Sequence, residues 1–514
     1  MLSSCDSFLE TNPVNFINPE MYYTDKASLD AGLMGIYANL TTRVQGNTIY
    51  GESNMIFTLT MSDLEYARSS AALYAPAWFN FTSSHSQVAE YWNALYQCIQ
   101  RANAFIGYIE PLNLPDVNDE YKTAALGEAY ALRGFCYWHL AANFGGVPLR
   151  TTFEIYPHME RASLKDTYEQ VLSDLKKAEG MVFDADQFSH AGRITKTTVQ
   201  ALLARACLYM AGKPLEETGK YGEAVDWARK VVQSGLHKLN TTTNADGVNM
   251  GYEDFFTRLI RSEYDTDYRE SMWEAEFAGV DGDTPRTNGQ WGSMNGIYCI
   301  DLNIGYSSPQ VQPSRLLENY YLEDSGDKRY VWSVAPHYWG TTDPGTYTNQ
   351  SIEFRYVGKY RKEADLRPKT RNYTHTNFPI MRYADVLLML AEAINEVDGP
   401  TDEAIDALNE VRSRAEAREC ANFADPDKIV LYDQDEFREF IKKERARELC
   451  FEATRRLDLV RWGHLVESVK YMTSIASASL ARRQGNNIEE KHNLLPIPAS
   501  EVNSNNLMTQ NQGW

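Results

Sequence analysis

The sequence has no run of about 18 apolar residues, so no segment of it reads as a membrane-crossing helix. It has seven cysteines but no C-x-x-C pair, which removes the zinc-ribbon and thioredoxin-type readings. H-E-x-x-H, G-x-S-x-G and a Walker-type loop are missing, and the nine histidines show no ligand-like spacing. Gly292-Ser293-Met294-Asn295-Gly296 approaches a nucleophile elbow only loosely, in a stretch without the strand and helix that motif needs. Positive charge is also in deficit. Fifty Lys and Arg against 70 Asp and Glu leave a net charge of −20, with no basic cluster along the chain to offset it. A nucleic-acid partner is therefore not expected.

What is abundant is aromatic surface: 32 Tyr and 10 Trp against 20 Phe. Tyr and Trp in excess of Phe suit surfaces that are flat and polar-edged, as a binding protein needs. Apart from Cys5, the cysteines are 98, 136, 207, 299, 420 and 450, and four of them (98, 136, 207, 450) fall in helical patterns. They read as buried free thiols rather than disulfides or metal ligands.

The dominant period is helical. In RITKTTVQALLARACLYMAG, Val199, Leu202, Leu203, Ala206, Tyr209 and Met210 fall on one face. Thr195 or Thr197 can cap the start, and Gly212 with Pro214 stops it. Another helix follows at once, ended by Gly235. Similar segments pair at about 90–145, 166–212, 200–235 and 381–415, a degenerate tetratricopeptide-like theme of stacked helix pairs. Between about 240 and 378 the period fades into Gly, Asp, Asn, Thr, Tyr and Trp, which predicts an insertion of loops, short strands and helical pieces such as PSRLLENYYLEDSGDKRY. The expected fold class is mainly α: a helix-pair scaffold with a loop-rich, short-strand insertion. A charged helix then carries Glu444, Arg445, Arg447, Glu448, Glu452, Arg455, Arg456, Asp458 and Arg461. Each carboxylate has an Arg within three or four residues, so ion pairing within the scaffold, not catalysis, is the expectation. The Leu-Pro-Ile-Pro piece near residue 496 is too apolar for a free tail and is expected to pack on the body.

FPIMRYADVLLMLAEAINEV (378–397), ERARELCFEATRRLDLVRWG (444–463) and LLPIPASEVNSNNLMTQNQGW (494–514) resemble the C-terminal signatures of the SusD/RagB family. The start, LSSCDSFLE, resembles that family's lipobox and mature N-terminus: Leu and two small residues before Cys mark where bacterial lipoproteins are cut and acylated. The resemblance is weakest at about 240–375. It implies a single SusD-like domain over 1–514, with an N-terminal segment at 5–68, a helix-pair scaffold at 87–235, an aromatic insertion at 240–378 and C-terminal helices with a packed tail at 379–514. It implies a lipid-anchored lipoprotein of the Bacteroidetes outer membrane, acylated at Cys5, with Met1 to Ser4 a signal-peptide remnant. It also implies a cell-surface, non-enzymatic role: capture of oligosaccharide or polysaccharide and delivery to a SusC-like TonB-dependent transporter.

Two regions carry aromatics that can cover the apolar face of a sugar ring. SSAALYAPAWFNFTSSHS (69–86) holds Tyr74 and Trp78. The insertion holds Trp291, Tyr298, Tyr306, Tyr338 and Trp339. The resemblance points to the same two regions. The expected glycan contacts are therefore Arg68, Tyr74, Trp78, Asn80, Trp291, Tyr298, Tyr306 and Trp339, with Arg68 and Asn80 bonding hydroxyls. No cofactor is expected. Asp281 with Asp283, or Asn244 with Asp246, could contribute oxygen ligands to a structural Ca²⁺, although neither pair matches an EF-hand loop. The alternatives are a peptide-binding member of the family, a protein-only tetratricopeptide adaptor, and a helical glycosidase using Asp281, Asp283 or Glu318.

Overall fold

The computed structural model describes residues 19–41, 48–69, 71–154, 156–277, 289–324, 326–340, 347–351, 354–366 and 371–514. Helices α1 (Lys26–Thr41), α2 (Ser86–Ile109), α3 (Asp119–Phe144), α4 (Leu164–Glu179), α5 (Lys196–Ala211) and α6 (Lys220–Ser234) pack in sequence order. Their starts follow the expected chemistry. The side chains of Asn118, Ser163 and Thr195 accept the backbone N–H groups of Glu120, Asp166 and Thr198, satisfying donors that a helix start leaves open. Every residue of α3 from Ala124 to Phe144 is buried, as is every residue of α5 from Thr197 onward. These two are therefore central helices without a polar face, while α4 and α6 keep one.

The chain then changes character. Four two-stranded antiparallel ladders hold the middle region: β1 (Glu65–Ala67) with β3 (Val311–Pro313), β2 (Ser271–Ala275) with β8 (Phe378–Arg382), β4 (Val334–Ala335) with β7 (Tyr356–Val357), and β5 (His337–Trp339) with β6 (Tyr347–Asn349). After β8 come α7 (Tyr383–Asp398), α8 (Asp402–Arg414), α9 (Gln434–Leu449), α10 (Arg455–Trp462) and α11 (Ser479–Asn487). The mainly α fold class holds. The charged C-terminal helix is in fact two. It breaks at Cys450–Thr454, where Phe451 and Ala453 adopt φ of 65° and 61° and the Phe451 N–H is taken by the Glu65 carboxylate. Gly212 lets the end of α10 close on the end of α5: a Cβ there would lie 2.6 Å from the Arg461 carbonyl oxygen.

The break folds the charged residues into a buried network. Glu448 accepts from Arg329, Arg382 and Arg414; Glu444 from Arg329, Arg412 and Arg447; Glu452 from Lys359 and Arg382. Arg445 and Arg461 share Asp458, and each has a second carboxylate, Asp385 and Glu392. The pairing is thus structural, as expected, but it runs mostly between distant elements rather than along one helix. Surrounding guanidiniums hold Glu444 and Asp385 down to about 2 in spite of burial. The Leu-Pro-Ile-Pro piece packs on the body: Leu495 and Ile497 are fully buried, and the Leu495 N–H donates to Asn143 O at 2.6 Å. The six described cysteines are all buried free thiols.

Candidate functional site

Register determines which aromatics come together. In β5–β6, Trp339 pairs with Tyr347 and His337 with Asn349. In β4–β7, Ala335 pairs with Tyr356. The loop after Trp291 joins the hairpin through the Trp339 N–H, which donates to Tyr298 O at 3.0 Å. The same loop joins the end of β1, where the Arg68 N–H donates to Gln310 O at 2.7 Å.

The result is two ring groups on one hairpin, because neighbours in a strand point to opposite sides: Tyr298, Tyr338 and Tyr356 gather around Arg68, and His337, Trp339 and Tyr347 gather on the other side. The Arg68 guanidinium stands 5.6 Å from the centre of the Tyr298 ring and 5.7 Å from that of Tyr356. Tyr298 lies within 6.3 Å of Tyr356, near parallel at 23°, and 6.1 Å from Tyr338. Trp339 meets Tyr347 edge-on at 6.1 Å, and His337 lies 4.9 Å from Tyr347. Arg68 is exposed, Tyr347 is 59% exposed, and Tyr298, Tyr338 and Trp339 are half-buried. Tyr356 lies beneath them; burial raises its phenol above the ordinary range, so it stays neutral and offers packing and a hydroxyl. Burial, with help from Arg361, holds the His337 imidazole below its usual value and therefore neutral at pH 7. The face thus presents rings and one guanidinium, a surface that can stack on apolar ring faces and donate to oxygen.

Several expected contacts lie elsewhere. Trp291 has no exposed surface: it stacks on Phe378 at 4.2 Å and lies 5.5 Å from Tyr360, so it is a core residue and cannot serve as a platform. Tyr74 and Trp78 are corrected in the same way. They are 6% and 8% exposed and form a small apolar cluster with Ala67, Ala77 and Met294. The Arg483 guanidinium stands 5.6 Å over the Trp78 ring. In this geometry they buttress the face through Met294 rather than form it. Asn80 is exposed beside them. Tyr306 is half-buried under the Arg371 guanidinium at 5.0 Å, and the Cys299–Ser307 bridge holds it in the same loop as Tyr298.

Tyr347 and Tyr356 were missing from the expected set. Tyr347 could have been found from period-2 alternation in the hairpin; nothing local marks Tyr356, which arrives by pairing across 21 residues of chain. Glu318 is buried in the helix Arg315–Leu322, 3.8 Å from the Arg355 guanidinium. Asp281 and Asp283 lie outside the described residues, as does Cys5. The Asn244 side chain accepts from the N–H groups of Asp246 and Val248 at 3.0 Å and so closes its own turn. Among the described residues no group of three His, Cys, Asp or Glu is arranged to hold a metal. A separate cleft of about 740 Å³ lies between Lys213–Pro214, Glu489–Leu494 and Asn511–Gly513, and it contains none of the expected contacts.

Against known proteins, residues 270–514 match the family model described as SusD family, and residues 7–208 match one described as starch-binding associating with outer membrane. The starch-binding protein SusD of Bacteroides thetaiotaomicron is 31% identical over 420 residues, covering 74% of this chain and 71% of that protein. SusD-like protein P2 of Formosa agariphila is 28% identical over 534 residues, covering 99% and 96%. The crystal structure of a SusD homolog from Bacteroides thetaiotaomicron superimposes with a TM-score of 0.82 at 25% identity, covering 96% of this chain and 98% of that one.

Proposed function

Because this chain belongs to the SusD family, we propose that it is a glycan-capture protein of the outer membrane, one that binds oligosaccharide or polysaccharide without breaking a bond. The observation that carries the reading is the grouping of Tyr298, Tyr338 and Tyr356 around the exposed Arg68, with Trp339 and Tyr347 paired on the other side of the same hairpin. A sugar ring has an apolar C–H face and a rim of hydroxyls; phenol and indole rings cover the first, and guanidinium and phenol groups bond the second. Two or three such platforms at about 1–2 kcal/mol each give affinities of roughly µM to mM. A starch-binding relative and a starch-binding family model support the ligand class.

In this reading the helical scaffold holds the face rigid and supplies the surface that meets a TonB-dependent transporter, to which the glycan is handed. Acylation at Cys5 anchors the protein at the cell surface; two or more acyl chains are needed for stable attachment.

The test is native affinity electrophoresis through gels containing single polysaccharides, with Trp339→Ala and Tyr298→Ala alongside the parent. Retardation by one polysaccharide, weakened in both variants, is expected. Retardation unchanged in both moves the site off this face. Binding to a peptide mixture and to no polysaccharide replaces the reading with the peptide-binding one.

A further inference from the structure

The sequence has no basic cluster, yet the fold sets three arginines around one loop. Arg68, Arg371 and Arg483 come from three distant stretches, and all three are exposed. Each rests over an aromatic ring around the same loop: Arg68 over Tyr298, Arg371 over Tyr306, and Arg483 over Trp78, which touches that loop through Met294. None of the three has a carboxylate partner among the described residues. The contrast with the buried ion-pair network is sharp. Arg329, Arg382, Arg412, Arg414, Arg445 and Arg461 each engage at least two carboxylates. Other arginines also lack a carboxylate partner, exposed Arg418 and Arg482 among them, but Arg68, Arg371 and Arg483 all rest over rings around this one loop.

We infer that the ligand is an anionic glycan, one whose sugar rings carry carboxylate or sulfate groups. The inference rests on the glycan-capture reading above and adds the charge of the substrate. One guanidinium can serve the hydroxyl rim of a neutral sugar; three around one loop supply more positive charge than that rim needs. A guanidinium parked over a ring is partly desolvated and pre-oriented, and its planar fork matches a carboxylate or a sulfate oxygen pair. The acidic remainder of the molecule repels polyanions that lack the sugar face, so local attraction against a repulsive field gives selectivity. Asp301, an acid in the same loop, accepts the Asn303 N–H through its carboxylate.

The experiment compares matched polymers by affinity electrophoresis and calorimetry: polygalacturonate against its carboxyl-reduced form, and a carrageenan against its desulfated form, with starch and laminarin as neutral controls. The parent is expected to bind one acidic polymer and not its neutralised counterpart, more weakly at 300 than at 50 mM NaCl. Arg68→Ala and Arg371→Ala should each lower that affinity about tenfold, with Arg68→Lys intermediate, while the melting temperature stays unchanged. Carboxylate and sulfate are distinguished by which pair shows the difference. Binding to neutral polysaccharides alone, or acidic binding insensitive to salt and to both Arg→Ala changes, overturns the inference and leaves glycan capture standing. Binding to no polysaccharide of either kind overturns both.

Discussion

Glu448→Gln is the change from which the scaffold has most to lose. The Glu448 carboxylate serves Arg382 at 2.5 Å and Arg329 at 2.7 Å, and also Arg414, and none of the four side chains is more than 1% exposed. Around it, Arg329, Lys359, Arg382, Arg412, Arg414 and Arg447 are set against Glu270, Asp324, Asp327, Glu444, Glu448 and Glu452, so the linked charges balance. Glutamine keeps the volume but removes one negative charge and points an N–H at a guanidinium. Removing one partner of a buried ion pair costs about 3–5 kcal/mol, because the other charge stays in the interior. Unfolding entropy of about 2.1 cal/mol/K per residue gives roughly 1.1 kcal/mol/K for a chain of this length. The melting temperature should therefore fall by about 3–5 °C. Scanning calorimetry at pH 7.5 in 25 and 300 mM NaCl reads this directly. Salt should not rescue the variant, since the pairs are shielded from solvent. A drop below about 1 °C, or full recovery in salt, would refute the claim that these charges act as a desolvated, balanced set.

Other substitutions separate scaffold from site. Trp291→Ala should cost about 3–5 kcal/mol of stability, whereas Trp339→Ala should cost glycan affinity with little change in melting temperature; a stable Trp291→Ala variant that has lost only binding would reverse the assignment. Burial raises Glu65 to about 8, so its contribution is full below the ordinary carboxylate pKa and is lost as pH rises towards 8; Glu65→Gln should flatten the fall in melting temperature between about pH 5 and 8. For Glu444 and Asp385, both lowered to about 2, the sign is opposite: their contribution is present above the ordinary carboxylate range and disappears as pH falls from about 4.5 to 2, visible as acid unfolding by circular dichroism. In Gly358→Ala the new Cβ would lie 1.8 Å from the Trp332 carbonyl oxygen, forcing β7 from β4; about 1–3 kcal/mol and most glycan binding should go together, and wild-type affinity would show that the face does not depend on that ladder.

Helices were legible in the sequence wherever period and caps agreed, as at Thr195 and Gly212, because both signals are local. Ion pairing of the charged segment was legible as chemistry, but its partners were not: Glu448 joins Arg329, Arg382 and Arg414 from three other elements. The break at Cys450–Thr454 was hidden because Phe451 and Ala453 are ordinary helix residues forced into left-handed backbone by tertiary contacts. The candidate site was legible as a region and less so as residues. An aromatic in a polar loop reads the same whether its ring lies up or down; Trp291 and Trp78 went into the interior, while Tyr298 and Trp339 stayed near the surface. The arginine grouping could not be read at all, since residues 68, 371 and 483 share no window.

The contact between Asp63 and Arg455 has a consequence in time. The two side chains meet at 2.8 Å across 392 positions of sequence, beside the strand that leads into Arg68. Chains are made at about 5–20 residues per second, so Asp63 waits roughly 20–80 s for its partner to be synthesised. For roughly the first 12–50 s of that interval the first strand also lacks β3, to which it pairs, and to the end of it the flanking carboxylate lacks its counter-ion. The growing chain must therefore carry its earliest site residues unfinished, and binding competence is switched on near the end of synthesis rather than accumulated along the way.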